Sequence, residues 1–408
     1  MTKRVVIDAT SWSNRRGYGR FIRGLLPPLL VRPSHYRFEL LVDEATAAAD
    51  DLPTGVPVHV VETSQAATQA ASHDSSRSVA DLLAMSFAAR RLKPDALVFP
   101  TVYTYFPVLG PLGPRFPRFP WPGGGRCRVV VGLMDTIAER YPDLVFPKGQ
   151  GRRFWNAKVL LSRLQASRIL TISDHAREQL VSTFGLPEDR IDVVEAAPDP
   201  VFRALDDSER DESVMVRQGL HRGDRYLVYL GGINPHKNLV ALVHSLAEVR
   251  KRPGFDDLQL RFVGDIERES FTPGAAPLRD AIADLGLEDV ARFTGFLGDE
   301  EVVQLLNQAS ALVQPSFAEG YGLPSVEGAA CGLPVVATSN SPLPQLLEGG
   351  GRFVDPHRPE DLTAALVDLL GDEEGRAAAA GRALERARRL TWENSADQFL
   401  AQLDRLFR

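Results

Sequence analysis

Two carboxylates, Glu319 and Glu327, stand at either end of the run Gly320-Tyr321-Gly322-Leu323-Pro324-Ser325-Val326. The glycines allow a backbone to approach a ligand without a Cβ in the way. Leu323 and Pro324 read as a helix start, and amide groups there favour an anion such as a phosphate. An ionised carboxylate only accepts hydrogen bonds, so an acid on each side suits hydroxyl groups. A ligand that is anionic in its middle and rich in hydroxyls at both ends is a nucleotide-diphosphate sugar. The plain alternative is a tight loop entering a buried helix with both acids on the surface. Ser316, three residues before Glu319, could add a hydroxyl contact.

A second cluster follows the apolar run 226–230. Gly231-Gly232 ends the expected strand, and Lys237-Asn238 stands just before an amphipathic pattern at 239–249. A lysine at a helix N-terminus is badly placed for the helix dipole. A diphosphate between the two positive features would resolve the conflict. A third cluster is Trp12 to Arg20, with Arg15, Arg16 and Arg20 around Gly17, Tyr18 and Gly19. It is not a dinucleotide fingerprint, because position 22 is isoleucine and about nine residues separate strand from glycines. Three arginines beside two glycines suit an anion, while a solvated loop capping the first helix is the alternative. Asp135, after the apolar run 128–133, reads either as a polar group at a strand end or as a helix N-cap. Ser173 reads as an N-cap, and His175 and His236 as local hydrogen-bonding residues.

These motifs resemble those of the retaining glycosyltransferases of family GT4, which have the GT-B architecture. Glu319 to Glu327 matches the family's E-x7-E signature, with Tyr321 where phenylalanine is usual. Gly231 to Asn238 matches its G-x-x-x-x-x-K-N motif, and Gly17 to Phe21 its G-x-G-R-[YF] loop. The resemblance implies that Lys237 binds the donor diphosphate, that Glu319 holds hydroxyls of the transferred sugar and that Glu327 holds the ribose. Gly17, Gly19, Arg20, Gly231, Gly232, Asn238, Phe296, Ser316, Gly320, Tyr321, Gly322, Leu323 and Pro324 complete the implied donor site. Phe296 would meet the base through its backbone. Lys237, Glu319 and Asp135 are the implied catalytic residues, and Tyr18, Trp12 and Arg15 the candidates for the acceptor. Two positions depart from the pattern: Gly232 stands where many relatives carry arginine, and Met134 where they carry histidine.

The elements needed to hold these residues are legible as alternating strands and helices, which imply parallel, doubly wound sheets. Strands are expected at 4–7, 38–42, 56–61, 96–99, 128–133, 169–172 and 191–194. Helices are expected at 18–30, 78–92, 153–165 and 174–184. A linker at 196–200, Ala-Ala-Pro-Asp-Pro, separates them from a second set. Its strands are expected at 226–230, 259–263, 291–293, 311–314, 334–337 and 352–354, and its helices at 239–249, 277–285, 301–309, 323–331, 359–370 and 373–390. The fold class is therefore α/β, and the resemblance makes it GT-B, two Rossmann-like domains facing across a cleft. The domains are placed at 1–198 for the acceptor and 199–390 for the donor, with a last helix at 391–408 crossing back to the first.

Composition bounds the function. The chain has 408 residues, 44% apolar and 25% charged, with net charge −6. That is a globular balance, and it argues against a general nucleic-acid binder. Two cysteines, Cys127 and Cys331, make no disulfide framework. No Asp-x-Asp pair occurs and the eight histidines are unclustered, so no metal and no cofactor are expected beyond a donor linked to GDP or UDP. The start of the chain carries no leader-like apolar stretch, and no run of 18 apolar residues occurs. The expectation is a cytoplasmic bacterial enzyme, with peripheral contact at the inner face of the membrane as an option. The Pro-, Arg- and aromatic-rich segment 107–121 reads as a surface loop, or as a grip on a membrane or a greasy acceptor. The expected reaction is metal-independent, retaining transfer of a mannose-like or glucose-like hexose to a glycan, lipid-linked or natural-product acceptor, as in polysaccharide assembly. A nucleotide-sugar epimerase and a catalytically silent sugar-nucleotide binder are the competing readings. Acceptor identity and oligomeric state are not encoded in any motif.

Overall fold

The computed structural model describes residues 2–14, 17–49, 51–68, 78–108, 127–147, 149, 151–264 and 274–408. The chain forms two compact units, Met1–Ala196 with Trp392–Arg408, and Ala197–Thr391.

The first unit holds a seven-stranded sheet of β1 (Lys3–Asp8), β2 (Tyr36–Asp43), β3 (Val58–Val61), β4 (Ala96–Phe99), β5 (Arg128–Gly132), β6 (Arg168–Thr171) and β7 (Ile191–Val193) in the order 3-2-1-4-5-6-7. All its pairings are parallel. The inner strands are short apolar runs buried on both faces, as parallel strands under helical layers must be, whereas the edge strand β3 exposes Val58 and Val60. Its main helices are α1 (Gly17–Val31), α2 (Val79–Leu92), α3 (Arg152–Gln165) and α4 (Asp174–Phe184). Ser78 and Ser173 cap α2 and α4 by accepting from the amides of Asp81 and Ala176. One core cluster gathers Met85 and Ala89 of α2, Trp155 and Val159 of α3, Leu180 of α4, and β-strand residues such as Leu97, Val129 and Val131. These helices therefore cover the same sheet face, as right-handed crossovers require.

The second unit holds six parallel strands, β8 (Tyr226–Leu230), β9 (Gln259–Val263), β10 (Ala291–Phe293), β11 (Ala311–Gln314), β12 (Val335–Thr338) and β13 (Gly351–Val354), in the order 10-9-8-11-12-13. Helices α5 (Leu239–Arg250), α6 (Leu323–Ala330) and α7 (Pro359–Gly371) are among those covering it. Leu242, Val243, Leu246 and Val249 of α5 enter the same core as Leu362, Leu366 and Leu369 of α7. The strand order reverses direction between β8 and β11 here, and between β1 and β4 in the first unit. Ligands of such sheets bind outside the carboxyl ends of the strands at that reversal.

The chain closes with α8 (Trp392–Phe407), which belongs to the first unit. Trp392 packs edge-on to Phe21 of α1 with ring centroids 5.9 Å apart. The Tyr36 hydroxyl donates to Asp404 at 2.6 Å, and Arg405 donates to Asp192 at 2.7 Å. Sequence periodicity missed only short pieces, including the helices Ile137–Arg140, Glu212–Arg217 and Leu343–Leu346. One turn of helix is too short to display a period.

Candidate active site

In the second unit, Lys237 arrives from the carboxyl end of β8 and Glu319 from that of β11, the two strands that flank the reversal. The Lys237 Nζ lies 2.8 Å from Glu319 Oε1. Two more donors converge on the same oxygen, Ser316 Oγ at 2.6 Å and Gln314 Nε2 at 2.8 Å. Gln314 is oriented in turn by Ser325 of α6, whose hydroxyl donates to Gln314 Oε1. Glu319 is 7% exposed. Burial opposes its charge, yet the Lys237 ammonium, the Ser316 hydroxyl and nearby His236 outweigh that and hold its carboxyl below the ordinary value.

The backbone around this pair leaves little freedom. Gly231 adopts φ +143°, which favours glycine, and its amide donates to the carbonyl of Val263. A Cβ on Gly264 would fall 2.7 Å from the Gly231 carbonyl oxygen, so two loops touch backbone to backbone. The Tyr229 hydroxyl donates to the Gly232 carbonyl at 2.7 Å. Asn238 takes the left-handed conformation at φ +57°, and its side-chain amide donates to the carbonyls of Pro315 and Pro356. The KN pair thus divides its work: Lys237 supplies charge, and Asn238 ties the β8 loop to the β11 loop. The Phe317 amide donates to the His236 carbonyl at 2.8 Å, closing the same two loops. Asn340, after β12, donates to the Phe317 carbonyl at 2.7 Å and accepts the Glu319 amide at its own carbonyl.

Gly320, Tyr321 and Gly322 are buried and lead into α6, with Leu323 and Pro324 half-buried in its first turn. Gly322 precedes the helix at φ +87°, where a Cβ would meet Leu343 at 2.7 Å. The positive end of α6 therefore opens at the loop that carries Glu319. Glu327 is buried within α6. Its charge adds to burial in pushing the Cys331 thiol up to about 12. Phe296 is 71% exposed, just past the edge strand β10.

In the first unit, Tyr18 stacks on Tyr103 at 5.1 Å, joining the first turn of α1 to the segment after β4 across that sheet's reversal. Tyr103 also packs against Trp155 at 5.1 Å. A pocket beside them is lined by Tyr103, Met134, Asp135, Glu139 and Trp155. Asp135 accepts the Ile137 amide at 2.9 Å while facing the pocket, and the N-cap position of the short helix is Thr136 rather than Asp135. The Trp155 ring N–H donates to Glu139 at 2.8 Å. Burial, with Asp135 nearby, raises the Glu139 carboxyl above its ordinary value despite that bond. Gly17 is exposed and Arg20 half-buried. A Cβ on Gly19 would lie 1.7 Å from the Asn14 carbonyl oxygen, so this close turn requires glycine. Trp12 is buried with its ring N–H on Asp51 at 2.8 Å, which makes it a brace for the loop. Arg15 and Arg16 lie outside the described residues, as does 109–121 of the proline-rich segment. Among the described residues no group of three or more His, Cys, Asp or Glu side chains could hold a metal.

Gln314, Asn340, Glu139, Tyr103 and Trp155 were not singled out by the sequence. Gln314 left one usable signal: it is a polar residue ending an otherwise apolar strand, and it is 2% exposed.

Comparison with known proteins bears on the family and the fold. Residues 211–386 match the model of the glycosyl transferases group 1. The O-antigen chain mannosyltransferase B of Escherichia coli is 28% identical over 57% of this chain and 59% of its own. The chain spans about half the length of the curated relatives it matches. Among solved structures, sucrose-phosphate synthase from Thermosynechococcus elongatus aligns with a TM-score of 0.74 at 14% identity, covering 99% of both chains. HepE from Anabaena, solved with UDP and glucose, aligns at 0.71 and 19% identity, covering 99% of this chain and 100% of its own. Over residues 211–386 this chain is therefore similar to the glycosyl transferases group 1, and its fold is GT-B, two Rossmann-like units.

Proposed function

We propose that this protein is a retaining, metal-independent hexosyltransferase that uses a sugar linked to UDP or GDP. The observation that carries the reading is the Lys237–Glu319 pair at the carboxyl ends of β8 and β11, beside the N-terminus of α6. Transfer of a glycosyl group builds negative charge on the departing diphosphate. Lys237 and the first turn of α6 supply positive potential there. When the diphosphate draws Lys237 away, Glu319 is left with acceptor capacity for hydroxyls of the transferred sugar, still oriented by Ser316 and Gln314. Glu327 is assigned to the ribose. The acceptor is assigned to the carboxyl ends of β4 and β5 around Tyr103, Asp135 and Glu139, with Tyr18 stacked on Tyr103. A mannosyltransferase among the relatives and UDP with glucose in a structural neighbour support the donor class. Glycan, lipid-linked and natural-product acceptors share the hydroxyl chemistry these residues can meet.

Purified protein should release UDP or GDP from one member of a panel of nucleotide sugars when an acceptor is present. Release should survive a chelator and fall by about 100-fold or more in Lys237→Ala and Glu319→Gln. Product configuration read by NMR should match the donor's. Equal release by wild type and both variants would overturn the site, an inverted product would overturn retention, and an epimerised donor without acceptor would favour the epimerase.

A further inference from the structure

Helix α3 carries apolar side chains on both sides. Trp155, Val159 and Ser162 face the sheet and are buried. The opposite side should be polar on a helix covering a sheet in water. Instead Ala157, Leu160 and Leu164 follow one another at spacings of three and four, and all are exposed. Leu160 is 50% exposed, Leu164 49% and Phe154 40%. The helix contains Arg152, Arg153, Lys158 and Arg163 and no acidic residue, in a chain of net charge −6. Helix α2 repeats the arrangement on the same sheet face: Val79, Leu83 and Phe87 are 72%, 37% and 50% exposed at steps of four, with Arg90 and Arg91 in the last turn. Its one acid, Asp81, is buried and accepts from Ser64. Two helices thus hold six of the eleven exposed large hydrophobic side chains among the described residues, so the apolar exposure is localised.

We infer that the outer face of α3, extended by α2, binds an anionic lipid surface. A convex helix with an apolar seam and cations on its flanks suits a deformable layer into which leucines sink while arginines reach headgroup phosphates. The cations give the sign: neutral lipid satisfies the seam but not Arg152 and Arg153, whereas an anionic surface satisfies both. No helix among the described residues is long and apolar enough to cross a membrane, so contact of this kind is interfacial. The surface stands independently of the donor site. It gains a use if the acceptor reading holds, because the buried side of α3 contributes Trp155 and Val159 to the pocket. The sugar of a lipid-linked acceptor would then sit about one helix diameter, ~10 Å, from its anchored tail.

The test is co-sedimentation of the full chain with vesicles of phosphatidylcholine alone or mixed with phosphatidylglycerol. Wild type should bind the anionic vesicles and release with added salt. Arg152→Glu with Arg153→Glu, and separately Leu160→Gln with Leu164→Gln, should each weaken binding by about tenfold or more. These side chains are exposed, so circular dichroism and UDP binding should be unchanged, which separates loss of the surface from loss of the donor site. The inference is overturned if wild type binds neither vesicle, if it binds both equally, or if both double variants sediment like wild type. Capture of an acidic protein with no vesicle binding would likewise overturn it.

Discussion

Glu319 keeps its charge in a buried setting because three donors meet one of its oxygens, and that arrangement makes its partners unequal. Removing Lys237 takes away the only full positive charge of the three and leaves a carboxylate in low dielectric. Breaking such a pair typically costs several kcal/mol. Lys237→Ala should therefore destabilise the protein by roughly 3 kcal/mol in urea denaturation, whereas Ser316→Ala should cost about 1 kcal/mol. The carboxyl also fixes a pH dependence. Its folded value is depressed below the ordinary 4.5, so its contribution to stability is complete above pH 4.5 and is lost as pH falls further. Acid titration of the unfolding free energy should show a shallower fall below that pH in Glu319→Gln than in wild type. Parallel curves would mean that the carboxylate contributes no linked stability.

At the scale of elements, the strands and helices bring distant motifs together only because particular glycines permit close packing. Gly24 of α1 shows this away from the site. A Cβ there would lie 2.0 Å from the Trp392 ring of α8. Gly24→Ala should displace that ring and destabilise the protein by about 1–3 kcal/mol, measured by chemical denaturation, while nucleotide binding in the second unit is preserved. Gly322→Ala makes the opposite case: φ +87° and the Leu343 contact strain the entry to α6. It should cost about 1–2 kcal/mol and weaken nucleotide binding. The sequence was most legible at this scale. Apolar runs flanked by glycine and proline marked β8 and β11, and the helical spacing at 239–249 matched α5 to within one residue. What stayed hidden was the polar scaffold of the site. Gln314 and Asn340 matter through partners 5 and 23 positions away, Glu319 and Phe317, and no local pattern encodes such pairings. In the first unit, Tyr103 and Trp155 lie 52 positions apart in the chain yet pack ring to ring, so their meeting exists only after the sheet forms. The resemblance makes Trp12 an acceptor candidate, and no local pattern shows that its ring N–H ties it to Asp51.

For the whole molecule, two separate cores divide the labour. On the proposed reading, Lys237, Glu319 and α6, all within Ala197–Thr391, make the main contacts to the nucleotide. Ligand linkage then predicts unequal stabilisation: nucleotide at 100 times its Kd should add about 2.7 kcal/mol to the unit that binds it. Hydrogen exchange with UDP or GDP should accordingly slow at 231–239 and 314–327, with β1 to β7 unaffected. The direct measurement is calorimetric titration of the full chain with UDP and with GDP, repeated on Lys237→Ala. A diphosphate held by the Lys237 ammonium predicts micromolar-class binding of one nucleotide, weakened about tenfold or more by the substitution, the loss expected for one charge-assisted hydrogen bond. Affinity equal in the two proteins, or binding of neither nucleotide by wild type, would contradict the account.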